Sequence, residues 1–191
     1  MTPHAMSHKI FERSLLGLLP LCLLPALFLR GATTASPEMG QFPAIQATSL
    51  DKAKLHLPED FPGQLNLVVI SFAREQQQEV DTWIPVARQI QSGHSNFSFY
   101  ELPTTARENL LYRWWFDAAL RSNTTEKDLR SRILTAYVSK HNFQKSLHIT
   151  DEKHVVTVLV DRSGKVYWRA EGSCTEQAKL ALQSALTANG V

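Results

Sequence analysis

Cysteine is nearly missing from this chain: among 191 residues only Cys22 and Cys174 carry a thiol. Cys22 lies inside an apolar run near the N-terminus and makes a poor partner for Cys174, so no disulfide framework is expected. Charge of one sign is lacking too. A net charge of +2 leaves no broad electrostatic footprint for nucleic acid, and none is expected as a partner. No Gly-x-Gly-x-x-Gly or Gly-Lys-Ser/Thr loop is present to cradle phosphates, and no Gly-x-Ser-x-Gly elbow supports a serine hydrolase. The seven histidines are spread along the chain, and neither a metal nor a cofactor is expected. What is present is ordinary: 43% hydrophobic and 20% charged residues exclude wholesale disorder.

The run 14–29 is almost wholly apolar, preceded by Lys9 and Arg13 and closed by Arg30. It is shorter than the ~20 residues of a comfortable spanning helix and longer than many signal cores. A cleaved signal peptide would use the small residues from Thr33 to Ala35, and an uncleaved anchor would keep the run despite Pro20 and Pro25. Lipid attachment at Cys22 is disfavoured by the bulky Leu21 before it. With Lys9 and Arg13 holding the N-terminus in the cytoplasm, the remainder is expected outside. The expected organisation is a signal peptide or membrane anchor over 1–35, a linker over 36–41 and a globular domain over 42–191.

Within the domain, alternation and punctuation over 42–62 suggest a short hairpin or extended strands. Residues 65–73 form an apolar strand, buried on both faces, that runs directly into a helix over 76–91. Val80, Trp83, Ile84, Ala87 and Ile90 share one stripe of that helix, Pro85 should kink or break it, and Gly93 should end it. A second strand covers 97–102, and a helix covers 107–121. Asn123 with Glu126 has capping-box spacing for a further helix. The run 133–138 suits a strand as well as a continuing helix. A short helix is expected over 143–149. Strands 155–160 and 165–168 flank an Asp161-Arg162-Ser163-Gly164 turn. Ser173 with Glu176 reads as a capping box for a last helix to about Thr187; Cys174 just inside its start stands where a thiol pKa can be lowered, but its expected role is that of a small packing residue.

This order of a parallel pair, a hairpin and helices on both faces resembles the thioredoxin-like superfamily: an α/β fold with a central mixed sheet flanked by helices, here with an N-terminal apolar leader or anchor helix. The lead-in from Ile45 through Leu57-Pro58-Glu59-Asp60-Phe61-Pro62-Gly63 is similar to that of peroxiredoxin and periplasmic thiol-reductase domains. The resemblance places the two active-site cysteines at Gln76 and Glu79, and the proline that faces them at Val156. Neither amides nor carboxylates supply the thiolate that disulfide exchange requires. A narrower set of motifs resembles the mitochondrial ATP synthase assembly factor family, a cysteine-poor branch. They are Tyr100-Glu101-Leu102-Pro103, the helix Leu110 to Arg121, Thr135-Ala136-Tyr137, Lys140, Phe143-Gln144-Lys145-Ser146-Leu147 and the hairpin Val158 to Gly172. That likeness implies a role in assembling a membrane complex by handling a hydrophobic subunit.

The helix 107–121 carries Leu110, Leu111, Tyr112, Trp114, Trp115, Phe116 and Leu120, an arc wider than one core contact needs. Adjacent tryptophans point about 100° apart on a helix, so one of the pair is a candidate surface anchor. The bland alternative is a helix sandwiched between sheet and neighbour. Tyr112, Trp114, Trp115 and Phe116, with Gln76 and Gln77 at the vacant thiol position, are the candidate partner-binding residues. For 76–79 the alternative is a solvated first helical turn. The functional expectation is a non-catalytic, membrane-associated or exported protein that binds a protein partner, on the periplasmic side or at the mitochondrial inner membrane. The alternatives are a reductase or peroxidase using Cys174, and a degenerate domain binding a small ligand.

Overall fold

The computed structural model describes residues 39–106 and 127–191. Expectations about the leader over 1–35, the helix 107–121 with its four aromatic candidates, and the Asn123–Glu126 cap lie outside the described residues.

Every position from Leu65 to Ile70 is buried, so the strand Leu65–Ser71 (β3) needs cover on both sides. It obtains that cover as an interior strand of a seven-stranded sheet, between layers packed on its two faces. Two strands precede it, Ile45–Ser49 (β1) and Lys54–Leu57 (β2), which form the expected hairpin. After β3, a 3₁₀ turn over Arg74–Gln76 leads into the helix Gln77–Gly93 (α1). Strand Phe97–Ala106 (β4), helix Lys127–Arg132 (α2), strand Leu134–Val138 (β5) and helix Lys140–Ser146 (α3) follow. Strands Val156–Val160 (β6) and Val166–Glu171 (β7) and the helix Glu176–Ala188 (α4) complete the described elements.

The sheet order is β2-β1-β5-β4-β3-β6-β7. β3 and β4 are parallel, with Leu67 opposite Phe99, and β3 and β6 are antiparallel, with Leu67 opposite Leu159. β5 runs parallel to β4 and antiparallel to β1, which brings the early hairpin to the far side of the sheet. Odd residues of β3 (Leu65, Leu67, Val69) pack with Trp83 and Ala87 of α1 and Leu182 and Leu186 of α4. Even residues (Val68, Ile70) pack on the other side with Phe42, Phe61, Tyr100, Phe143 and Leu147. Asn66 faces that second layer, fully buried. Its amide is satisfied by the Gly63 backbone and by Val160 O, as a buried polar group requires.

Several expectations shift. α1 continues through Pro85, which occupies an exposed position where a carbonyl deprived of its donor is not trapped in the core. The ambiguous run 133–138 becomes β5, because its residues are needed on both sheet faces and only Tyr137 is part-exposed. Helix α3 begins three residues earlier than expected and ends at Ser146. β4 extends to Ala106. The last helix is capped by Thr175, whose hydroxyl accepts from Ala178 N at 3.1 Å, rather than by Ser173.

The β6–β7 turn forms as expected, and Gly164 sits at φ +85° with no room for a Cβ beside Phe42 O. Asp161 Oδ1 accepts from the backbone N–H of Ser163 and Lys165. Phe42 N donates to Gly164 O at 2.8 Å, docking the start of the domain on this turn. Trp83 and Trp168 meet edge to face at 5.7 Å, as core aromatics.

Phe42 touches both Phe61 and Phe143 in edge-to-face contacts and is 1% exposed. Phe42→Ala should cost about 3–5 kcal/mol, read as a lower urea midpoint. Leu180, 61% exposed on α4, should tolerate Ala within about 0.5 kcal/mol.

Candidate functional site

The strand-to-helix junction at the end of β3 is where sequence reasoning placed the replaced nucleophile. Gln76 does not project to solvent there: it is 6% exposed. Its Oε1 accepts from Phe72 N at 2.7 Å and Ala73 N at 3.2 Å, capping the two backbone donors left as the chain leaves the sheet. Its Nε2 donates to Glu152 O at 2.7 Å, in the segment that leads into β6. One helical turn on, Glu79 reaches the same segment. Its Oε2 accepts from Val155 N at 2.9 Å, and its Oε1 lies 2.7 Å from His154 Nδ1. Glu152 is held in turn by Lys140 Nζ at 2.8 Å and Gln144 Nε2 at 2.9 Å, both on α3.

The two positions assigned to thiols are therefore structural ties. They join the carboxyl end of β3 to the segment 151–155 through hydrogen bonds of an amide and a carboxylate. Val156, assigned to the facing proline, opens β6 as a buried valine, and the cis peptide bond among the described residues is Leu57–Pro58 instead. The expectation of a solvated turn fits Arg74, Glu75, Gln77 and Gln78, which are exposed, but not Gln76.

Partial burial pushes the Glu79 carboxyl upward, but the His154 ring and the Val155 N–H outweigh it, and the net shift is down from 4.5. The Glu79 partner raises His154 from 6.5 by hydrogen bonding and by charge.

Gln77 points to a different neighbourhood. Its Nε2 donates to Asp81 Oδ1 at 2.9 Å, and it hydrogen-bonds the Glu101 carboxyl on β4. Burial, with the nearby Asp81 charge, pushes Glu101 up to about 7 against the pull of Gln77 and Arg88. Sequence reasoning named Glu101 only within a family motif. No spacing rule brings β4 beside the first turns of α1; the parallel β3–β4 pairing does.

Cys174 precedes α4 instead of lying inside it. Its backbone N–H donates to Thr82 Oγ1 at 2.8 Å, and it packs beside the Trp83 layer. Burial raises its thiol above the ordinary value despite Lys179, in keeping with the expected small packing residue and not with a thiol lowered by a helix start. An open cavity of about 500 Å³ lies elsewhere, between the β1–β2 hairpin and α3. Leu57, Tyr137, Phe143, His56 and Asn142 are among its lining residues. Among the described residues no His, Cys, Asp and Glu group is placed to hold a metal ion, and no helix is long and apolar enough to cross a membrane.

Glu101 binds its proton more tightly folded than unfolded between about 4.5 and about 7, so its contribution to stability is complete below 4.5 and is lost as pH rises through 7. Glu101→Gln should flatten that fall. Unfolding free energies at about pH 8 should exceed those of the parent chain by roughly 1–3 kcal/mol, measured by urea denaturation across the range.

The sequence matches no family model and no curated protein. Solved structures do match. A Sco protein, from a family of cytochrome c oxidase assembly proteins, superimposes with a TM-score of 0.54 at 14% identity, covering 80% of this chain and 96% of its own. The exposed lipoprotein thioredoxin Etrx1 of Streptococcus pneumoniae gives 0.53 at 10% identity, covering 76% and 99%. The thioredoxin domain of a thiol-disulfide oxidoreductase from Bacteroides vulgatus gives 0.51 at 17%, covering 78% and 98%. These likenesses agree with the strand order and the helices on both faces of the sheet: the chain has a thioredoxin-like fold.

Proposed function

We propose that this chain is a thioredoxin-like protein that binds a protein partner at a membrane and serves in the assembly of a membrane complex, without disulfide exchange of its own. The observation that carries the reading is the pair Gln76 and Glu79. The junction at which the resemblance expects two thiols is occupied by side chains that hold the fold together and cannot carry electrons. Cys174, with its thiol pKa raised, is poorly suited to replace them.

Two likenesses support the assembly role. The Sco neighbour belongs to a family of assembly proteins for cytochrome c oxidase, so this scaffold serves such a role elsewhere. The motifs from Tyr100 to Gly172 resemble the ATP synthase assembly factor family. Tyr112, Trp114, Trp115 and Phe116 are proposed as the contact with a hydrophobic subunit, because aromatic anchors supply large apolar area with few rotamers to order. The apolar run 14–29 is proposed as the element that brings the domain to the membrane, by export or by anchoring.

Purified protein should reduce insulin disulfides no faster than buffer, and Cys174→Ser should leave that background unchanged. Turnover that disappears in Cys174→Ser would overturn the non-catalytic half of the reading. Cells lacking the protein should accumulate a partly assembled membrane complex on native gels. The full chain should restore assembly, and a Trp114→Ala, Trp115→Ala variant should not. Complexes of normal size and amount in the deletion would overturn the assembly role.

A further inference from the structure

The ties at Gln76 and Glu79 hold more than a junction. The segment 151–155 crosses from the end of α3 to the start of β6, and it is gripped at several points by groups from three elements. On α1 and the turn before it, Gln76 takes the Glu152 carbonyl and Glu79 takes both His154 and the Val155 N–H. On α3, Lys140 and Gln144 share the Glu152 carboxylate. Beyond β7, Gly172 N donates to Val155 O at 2.9 Å. Glu79 is the one group here that binds two successive residues of the segment, and one of those residues titrates.

We propose that 151–155 is a proton-regulated strap across the carboxyl end of β3, which closes when Glu79 is ionised and tightens when His154 is protonated. The proposal concerns this chain alone and holds whether or not the domain binds a partner.

Among the described residues, three charged groups face His154. Glu79 comes from α1, Asp151 from the strap itself and Glu171 from the end of β7, all acidic. Of these, Glu171 is already paired with Arg169 at 2.5 Å, and Asp151 with Lys153 at 3.6 Å. Glu79 is the carboxylate in direct contact, at 2.7 Å, and it is more sheltered than the ring it holds: 23% of its side chain is exposed against 59% of His154. A charged imidazole facing that carboxylate makes a charge-assisted bond, whereas a neutral ring makes an ordinary one.

The two titrations limit the strap from opposite directions. His154 is raised, so its contribution is complete below the ordinary value of 6.5 and is given up as pH climbs through the raised one. Glu79 is lowered, so its contribution is complete above 4.5 and is given up as pH falls through the lowered one. The strap is therefore tightest in mildly acidic solution and loosens on either side. Because Val155 N donates to Glu79 and to no strand, its exchange with solvent reports strap opening directly.

Amide protection factors for Val155 across pH, with the His154 imidazole followed by NMR in the full chain, test this. His154 should titrate above the ordinary imidazole value. Val155 protection should peak near pH 6 and fall severalfold by about pH 9. Glu79→Gln should lower the peak about tenfold while amides inside β6 keep their protection. If that variant loses protection throughout β6, its fold is compromised and His154→Ala decides, since its exposed ring can be removed with the Glu79–Val155 bond intact. His154→Ala should abolish the fall between pH 6 and 9. The proposal is overturned by a His154 that titrates at or below the ordinary value, by a flat Val155 profile in the parent, or by His154→Ala matching the parent.

Discussion

Burial of β3 on both faces is the constraint on which the remaining structure depends. Six consecutive residues, Leu65 to Ile70, lose contact with water, and a strand can achieve that only with a strand on each side and a layer above and below. α1 and α4 supply one layer, and the aromatic group of Phe42, Phe61, Tyr100 and Phe143 supplies the other. Asn66 shows how strict the demand is. A polar side chain is accommodated near the start of this strand because Gly63 and Val160 supply its hydrogen bonds. The early hairpin follows from the same logic, since β5 needs an antiparallel neighbour on its far edge and β1 provides it.

The end of β3 carries the functional question. The resemblance to the thioredoxin-like superfamily places a reactive thiol pair at this point. Here it presents hydrogen-bond partners that turn inward. Gln76 completes the backbone valences of the departing chain, and Glu79 completes those of the arriving β6 segment. Together with Glu152 these side chains cross-link the end of β3, α3 and the start of β6.

Much of the topology was legible in the chain itself. The two-sided apolar run of β3, the period of α1 and the Asp161 to Gly164 turn each carry a local signal strong enough to place an element. The failures have local causes as well. The run 133–138 has equal propensity for strand and helix, and only the β4 and β1 edges on either side decide it. Ser173 and Thr175 both have the chemistry of a cap, and the choice between them depends on where the chain leaves β7. Pro85 reads as disruptive because a proline in a helix interior removes a backbone hydrogen bond on whichever face it stands. Of the candidate site, Gln76 was identified as the replaced position, but its burial was missed, since glutamine beside glutamine at a helix start reads as solvated.

Read alone, the residues establish that positions 76 and 79 hold an amide and a carboxylate, which cannot exchange disulfides, and that the core order is strand, helix, strand and hairpin. Residue identity and short-range periodicity are enough for those statements. What Gln76 and Glu79 bind was decided by tertiary structure alone. Their partners at Glu152, His154 and Val155 stand more than seventy residues away and are brought within reach by the antiparallel pairing of β3 with β6. The same holds for Glu101 beside Asp81 and for Cys174 against the Thr82 hydroxyl. Spacing along a chain encodes neighbours within a helix or a turn; contacts between elements exist only once the sheet has closed.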